Sequence, residues 1–180
     1  MSKKLTLLLP FLIPIILSAC SSKLHSDKKH QSNLLDKNKM DSLYTYLSLN
    51  SSEKLQDTII IKYDFNGDGC WIALNQQSND YIKNLIQNST EWIAKKKLAR
   101  PTVSIFQFKE YGENFSPYKL RDKTIKTDSG FLKKLLFNKR TMCGTSAVIV
   151  SSGKFFLIKS DSHFSPIEMS GAEISRKLNL

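Results

Sequence analysis

The sequence predicts an α/β domain, in which helices flank a mixed sheet to give three layers. Segments rich in β-branched and aromatic residues alternate with segments whose apolar residues recur at helical spacing. The last two strand-like segments follow each other directly across Ser152 and Gly153, which is typical of an antiparallel hairpin. The chain therefore combines alternating elements with a hairpin, as a mixed sheet requires.

Four strands are predicted from short runs rich in Val, Ile, Thr, Phe and Tyr. They cover 58–65, 102–108, 146–150 and 155–159. A short helix is expected between Met40 and Leu49, because its apolar residues have helical spacing. Residues 110–127 are predicted to be a polar loop.

The longest predicted helix follows Ser78 or Asn79, either of which can cap its N-terminus. It carries a stripe of mostly apolar residues: Tyr81, Ile82, Leu85, Ile86, Ser89, Trp92 and Ile93. Three lysines, 95–97, complement the dipole at its end. A second helix near residues 131–136 is expected to be capped by Asp128 or Ser129. A final helix runs from Ser170 to Leu178, with Ser170 and Glu173 as a capping box.

The N-terminus has the pattern of a secretory signal, with Lys3 and Lys4 before an apolar run that is too short to span a membrane. The sequence Leu17-Ser18-Ala19-Cys20 resembles the lipobox of bacterial lipoproteins. The resemblance implies that Cys20 carries diacylglycerol and an N-acyl chain, and several chains give stable anchoring. Because Ser21 and Ser22 replace the aspartate that retains lipoproteins in the inner membrane, we expect an outer-membrane lipoprotein facing the periplasm.

These features divide the chain into a signal peptide at 1–19, a flexible polar tether at 20–39 and a single α/β domain at 40–180. Removal of the signal lowers the formal charge from +11 to +9. In an exported protein this charge favours a membrane surface, an acidic protein or an anionic envelope polymer over nucleic acid, but a solvated basic surface is the favoured explanation. No cofactor is expected besides the lipid on Cys20.

The order strand, helix, strand, helix, strand, strand, helix over residues 58–180 is similar to the thioredoxin fold. The resemblance implies two parallel βα units followed by a hairpin and a last helix. The chain departs from that family at two places. Cys70 stands alone where the family has Cys-x-x-Cys, and Gly144-Thr145 replaces the cis-proline before the third strand.

An alternative fold follows from the turn Asn66-Gly67-Asp68-Gly69. If this turn closes a hairpin, residues 70–74 form an antiparallel strand, and the domain is α+β with an N-terminal hairpin at 58–75. The helix then begins near Asn79, which explains the long gap after Cys70.

Lipidation of Cys20 leaves Cys70 and Cys143 in a compartment that permits disulfides. The resemblance to thioredoxin places these two cysteines side by side. Three interpretations stay open: a structural disulfide, two separate thiols, or a redox-active pair. The last would need a thiolate stabilised by a helix N-terminus or a cation.

Residues 64–69 reproduce the first half of an EF-hand loop, with Asp64, Asn66 and Asp68 as weak calcium candidates. The twelfth position of such a loop is Asn75 and not glutamate, so an ordinary turn is favoured. His163 is the one histidine in the predicted domain, and a loop or edge-strand position suits it better than a catalytic triad. The larger aromatic residues, Trp71, Trp92, Phe106 and Phe108, are expected in the core.

Two alternative functions follow, and the first is favoured because the sequence contains no complete catalytic set. The first is a membrane-anchored periplasmic protein that binds a partner without catalysis. The second is a divergent thioredoxin-like thiol-disulfide protein that uses Cys70 and Cys143.

Overall fold

The structure, a computed structural model, describes residues 30–180. A single mixed sheet carries six strands in the order β1-β6-β5-β2-β3-β4. The strands are β1 His30–Leu34, β2 Thr58–Asp64, β3 Val103–Lys109, β4 Lys126–Thr127, β5 Thr145–Val150 and β6 Lys154–Lys159. The helices are α1 Lys37–Leu49, α2 Asn79–Ala99, α3 Pro117–Arg121, α4 Phe131–Leu135 and α5 Gly171–Leu178. Short 3-10 helices cover Ile72–Gln76 and Ser165–Glu168.

The sheet is parallel on one side of β2 and antiparallel on the other. β3 pairs with β2 and β4 in parallel, whereas β5 pairs antiparallel with both β2 and β6. β1 closes the opposite edge by antiparallel pairing with β6. The predicted α/β class with a mixed sheet is therefore confirmed.

The domain begins earlier than predicted. Residues 30–34, which composition assigned to the tether, form a strand against β6, and Leu35 is buried beside the β5–β6 turn. The backbone hydrogen bonds of the β6 edge supply the stability that this polar segment lacks in its side chains. The boundary at residue 40 is therefore wrong by about ten residues. The predicted signal peptide, Cys20 and most of the predicted tether lie outside the described residues.

Alternation along β2 separates two hydrophobic cores on the two faces of the sheet. Ile59, Ile61 and Tyr63 point into the larger core, which α1 and α4 cover. Ile60 points into the smaller core, covered by α2 and α5. Both cores lie within the described residues. None of the helices in this part of the chain has the length and apolarity to cross a membrane.

The alternative hairpin at 58–75 is wrong. β3 and β5 occupy both edges of β2, so no edge is left for an antiparallel strand at 70–74. The chain instead turns at Trp71, whose φ is +67°, and enters the 3-10 helix Ile72–Gln76. The later start of α2 is confirmed, with the Ser78 side chain accepting from the Tyr81 N–H.

Other local predictions have mixed outcomes. The capping box of Ser170 and Glu173 is present at the start of α5. The predicted loop at 110–127 contains two short elements, α3 and β4, which its polar composition did not indicate.

Asp128 joins three elements beneath the larger core and is almost fully buried. Its carboxylate accepts hydrogen bonds from the hydroxyls of Tyr46 in α1 and Tyr63 in β2. It also accepts the backbone N–H groups of Leu132 and Lys133 in the first turn of α4. The N-cap residue itself is Gly130, so the Asp128 carboxylate, and not Ser129, caps the helix from two residues before it. Burial and this carboxylate together raise the pKa of Tyr63 above its ordinary value.

We expect Asp128→Ala to lower the free energy of unfolding by about 3 kcal/mol, because it leaves buried hydroxyl and amide donors without an acceptor. Urea denaturation monitored by circular dichroism measures this change. The matched control Ser129→Ala should change the free energy by less than about 0.5 kcal/mol. Equal effects of the two substitutions would contradict the assignment of the cap.

Candidate functional site

Cys70 and Cys143 form a disulfide at the carboxyl end of β2. Their Cα atoms are 4.8 Å apart, within the range of about 4.4–6.8 Å usual for such bridges. Cys70 lies in the turn after β2, and Cys143 lies just before β5, the antiparallel neighbour of β2. The structure therefore brings together the pair that the sequence singled out.

The Asp68 carboxylate holds both halves of the bridge. Its Oδ1 accepts the backbone N–H of Cys70 at 2.8 Å and that of Cys143 at 2.9 Å. Its Oδ2 is buried and has no hydrogen-bond partner among the described residues. A carboxylate oxygen and the two sulfurs lie within 4.8 Å of one another. The bridge thus has a negative charge beside it.

Gly144 lets the chain after the bridge approach β2 closely. Its φ is +71°, and a Cβ at this position would lie 2.4 Å from the carbonyl oxygen of Tyr63 and 2.6 Å from Asp64 Oδ1. Only glycine fits without displacement of the backbone of β2. This requirement explains why the position does not carry a larger residue.

Three buried charged side chains meet where β2 ends. Lys119 Nζ donates to Asp64 Oδ1 at 2.7 Å, and Lys62 Nζ lies 3.8 Å from the same oxygen. Lys62 Nζ also donates to the backbone carbonyl oxygens of Cys143, at 2.7 Å, and of Asp161. Burial lowers the pKa of Lys62, an effect that Lys119 increases and that Asp64 and Asp161 oppose.

A cavity of about 200 Å³, here called the α2 cavity, lies between this charged cluster and α2. Its lining includes Trp71, Leu85, Trp92, Tyr118, Lys119 and His163. The His163 ring meets the Trp71 ring edge-on, with 6.3 Å between centroids. The cavity is thus walled by aromatic rings and has charged groups at its base.

Polar contacts in the middle and C-terminal part of α2 hold the helix over this cavity. Near the middle of the helix, Ser89 Oγ accepts from the Tyr118 hydroxyl at 2.8 Å. Toward the C-terminus, Trp92 Nε1 donates to Glu168 at 3.2 Å, and Lys96 forms an ion pair with the same carboxylate. The helix is anchored without filling the space beneath it.

Non-glycine residues with left-handed backbone surround the cavity and the bridge. Trp71, Cys143 and Phe164 have φ values of +67°, +62° and +56°. Such conformations cost about 1–3 kcal/mol each and cluster at functional sites. Their grouping here favours this region as the functional site.

The two tryptophans differ from the predicted core positions. Phe106 and Phe108 are buried as expected, but Trp71 is 38% exposed and Trp92 is half-buried. Both line the α2 cavity. The predicted core position is therefore wrong for Trp71, whereas Trp92 packs partly buried against the smaller core.

The calcium candidates are engaged with protein groups. Asp64 pairs with the two lysines, Asn66 Oδ1 accepts the backbone N–H of Asn114 at 2.9 Å, and Asp68 Oδ1 serves the bridge. A cation ligand would have to release these contacts, which disfavours a calcium site in this turn.

Comparison of the chain with protein-family models, with curated proteins and with solved structures gives no match.

Sequence reasoning overlooked the lysines of the site. Lys62 and Asp64 lie on one face of an otherwise apolar strand, because they are two residues apart. This spacing could have predicted a charged pair at the end of the strand. Tyr118 and Lys119 lie in the segment predicted to be a polar loop. No local sequence pattern indicates that they contact the end of β2. Only the fold places α3 against the end of that strand.

Glu110 ties the turn after β2 to the segment before Cys143. Its Oε2 accepts the Asn66 backbone N–H at 3.0 Å and the Arg140 guanidinium at 2.9 Å, while Oε1 accepts from Lys133. Burial acts to raise the pKa of Glu110, but the hydrogen bonds from Lys133 and Asn66 and the charge of Arg140 together lower it.

We expect Glu110→Gln to destabilise the domain by about 1–3 kcal/mol at neutral pH, because charge-assisted hydrogen bonds are lost. The folded pKa of Glu110 is depressed, so its contribution is complete above the ordinary value of 4.5 and is lost as the pH falls through the folded value. Urea unfolding between pH 3 and 7 should therefore show the two proteins converging in acid. The exposed Glu113→Gln is the control and should follow the unsubstituted protein throughout.

Proposed function

We propose that this protein is a lipid-anchored binding protein of the bacterial cell envelope, placed in the outer membrane and facing the periplasm. The support for anchoring is the signal pattern with Leu17-Ser18-Ala19-Cys20, and the absence of aspartate after Cys20 favours the outer membrane. The first strand of the described residues begins at His30, ten positions after Cys20 in the sequence.

We also propose that the domain is a divergent member of the thioredoxin-like folds. The arrangement β2-α2-β3 followed by β5-β6-α5 supports this proposal, with spatial strand order β3-β2-β5-β6. In this description, β1, α1 and β4 are additions at the edges and on one face. The cysteine pair then joins the turn after the first strand to the loop before the third.

One observation carries the proposed binding role: an aromatic cavity with a buried ammonium lies beside a clamped disulfide. Aromatic walls with few polar groups are typical of ligand sites, and a site at the carboxyl ends of parallel strands is usual in α/β folds. The bridge acts structurally by closing a loop of 73 residues, worth about 4 kcal/mol in the chain-entropy model.

Metabolic labelling with an alkyne palmitate analogue, in a bacterium with enteric-type lipoprotein sorting, tests the anchor. We expect label on the unsubstituted chain and none on Cys20→Ser, whose thiol cannot take the lipid. Ser21→Ala is the control and should stay labelled in the outer membrane, whereas Ser21→Asp should move to the inner membrane. Label that persists on Cys20→Ser would contradict the proposal.

Thiol-disulfide exchange is the second candidate, and one observation favours it. Both cysteines are half-buried, and their sequence neighbours are exposed apolar residues. Trp71 and Ile72 follow Cys70, and Met142, which is 69% exposed, precedes Cys143. Exposed apolar side chains next to a disulfide suit the binding of a polypeptide whose thiol exchanges with it. Two features oppose a reactive thiolate: the Asp68 carboxylate, and the start of α2 nine residues after Cys70.

A redox titration separates the two candidates. A structural bridge should have a midpoint potential below about −300 mV, whereas an exchanging pair falls between about −120 and −270 mV. We also expect Asp68→Asn to speed reduction by dithiothreitol about 10-fold, because the nearby charge disfavours the leaving thiolate while the amide oxygen still accepts both N–H groups.

Asp80→Asn, at the exposed start of α2, is the matched control and should leave the rate of reduction unchanged. A midpoint potential in the exchanging range would favour the second candidate over the first.

A further inference from the structure

The base of the α2 cavity has an ammonium with unused hydrogen-bonding capacity. Lys119 is 4% exposed and lines the cavity. An ammonium has three donors, yet among the described residues Asp64 Oδ1 is the one acceptor within hydrogen-bond distance of Lys119 Nζ. A buried charge with unpaired donors is costly, so this group favours an acceptor that enters from the cavity.

The free donors of Lys119, and not the net charge of its surroundings, favour an anion, because the carboxylates of Asp161 and Asp68 also act on the neighbouring Lys62. Lys62 and Lys119 both form an ion pair with the carboxylate of Asp64. Lys62 also donates hydrogen bonds to two backbone carbonyl oxygens, those of Cys143 and Asp161. Lys119 is therefore the member of the cluster that can receive a ligand. A carboxylate fits it best, because one charge and two oxygens match a single ammonium with two free donors.

The cavity walls specify what must be attached to the carboxylate. Trp71, Trp92 and Tyr118 offer aromatic surface, and Leu85 and Phe164 add apolar contact. An aromatic or branched apolar group gains burial and ring contacts there. The volume of about 200 Å³ is below the range of about 300–1,000 Å³ for drug-sized ligands, so the occupant is one ring or one residue.

We infer that the α2 cavity binds a carboxylate that carries an aromatic or branched apolar group, with Lys119 as the ammonium that recognises it. This inference rests on the proposed binding role and names its ligand class. Two sources supply the chemistry: a free small acid, or the C-terminal residue of a polypeptide. In both cases the carboxylate meets Lys119 and the apolar group lies between α2 and Trp71.

Calorimetric titration of the full chain in a non-ionic detergent with 3-phenylpropionate tests the inference. We expect a dissociation constant below about 1 mM, which suits a ligand of this size. The neutral probe 3-phenylpropanamide should bind about 10- to 100-fold more weakly, since it lacks the charge-assisted hydrogen bond. An amide that binds as tightly as the acid, or an acid that does not bind, overturns the inference.

Substitutions locate the site. Lys119→Met should weaken 3-phenylpropionate binding about 10- to 100-fold, while Lys83→Met, an exposed lysine on α2, should leave it unchanged. Leu85→Phe, which fills the cavity and keeps Lys119, should also abolish binding and covers the case in which Lys119→Met does not fold. Full binding by Leu85→Phe overturns the placement in this cavity.

A second pair of probes separates the two sources. A tripeptide ending in phenylalanine with a free carboxylate should bind if the ligand is a chain terminus, and its C-terminal amide should not. Binding of 3-phenylpropionate alone assigns the site to free acids, and the inference holds either way. If no carboxylate binds, the inferred ligand class is wrong. If metabolic labelling and the redox titration still give the expected results, the proposed lipid anchor and structural disulfide are unaffected.

Discussion

The buried cluster of Lys62, Asp64 and Lys119 is the interaction on which the site depends. It lies where β2 ends and contacts three other parts of the chain: α3 through Lys119, the bridge through the Cys143 carbonyl, and the loop after β6 through the Asp161 carbonyl. Charges in such a position are stable only with their partners in place. The loops that carry the disulfide and the cavity are thus held by groups of the central strand.

The bridge and the cavity are two consequences of one arrangement. Because β5 pairs antiparallel with β2, the loop before β5 arrives beside the turn after β2, and Cys143 meets Cys70. The same turn carries Trp71, which lines the α2 cavity together with residues of α2. A disulfide that fixes this corner keeps the aromatic wall of the cavity in position, which suits recognition more than exchange.

Local patterns predicted the elements whose stability is local. β-branched runs marked β2, β3, β5 and β6, and caps marked the starts of α2 and α5, because strand propensity and capping act between near neighbours. β1 was missed, since its stability comes from the edge of β6. The cysteine pair was predicted because only two cysteines remain after Cys20, and because the predicted strand order places them side by side. Lys119 was not found, because its role exists only after α3 packs against the end of β2.

The central claim, that the cavity beside the bridge is a ligand site, is tested most directly by the two indole N–H signals in a ¹H–¹⁵N correlation spectrum. The chain has two tryptophans, and both line the cavity. Titration of the full chain with 3-phenylpropionate should shift both indole signals together and saturably, and Lys119→Met should abolish the shifts. If neither indole signal moves while other signals respond to the acid, the ligand binds elsewhere and the account is contradicted.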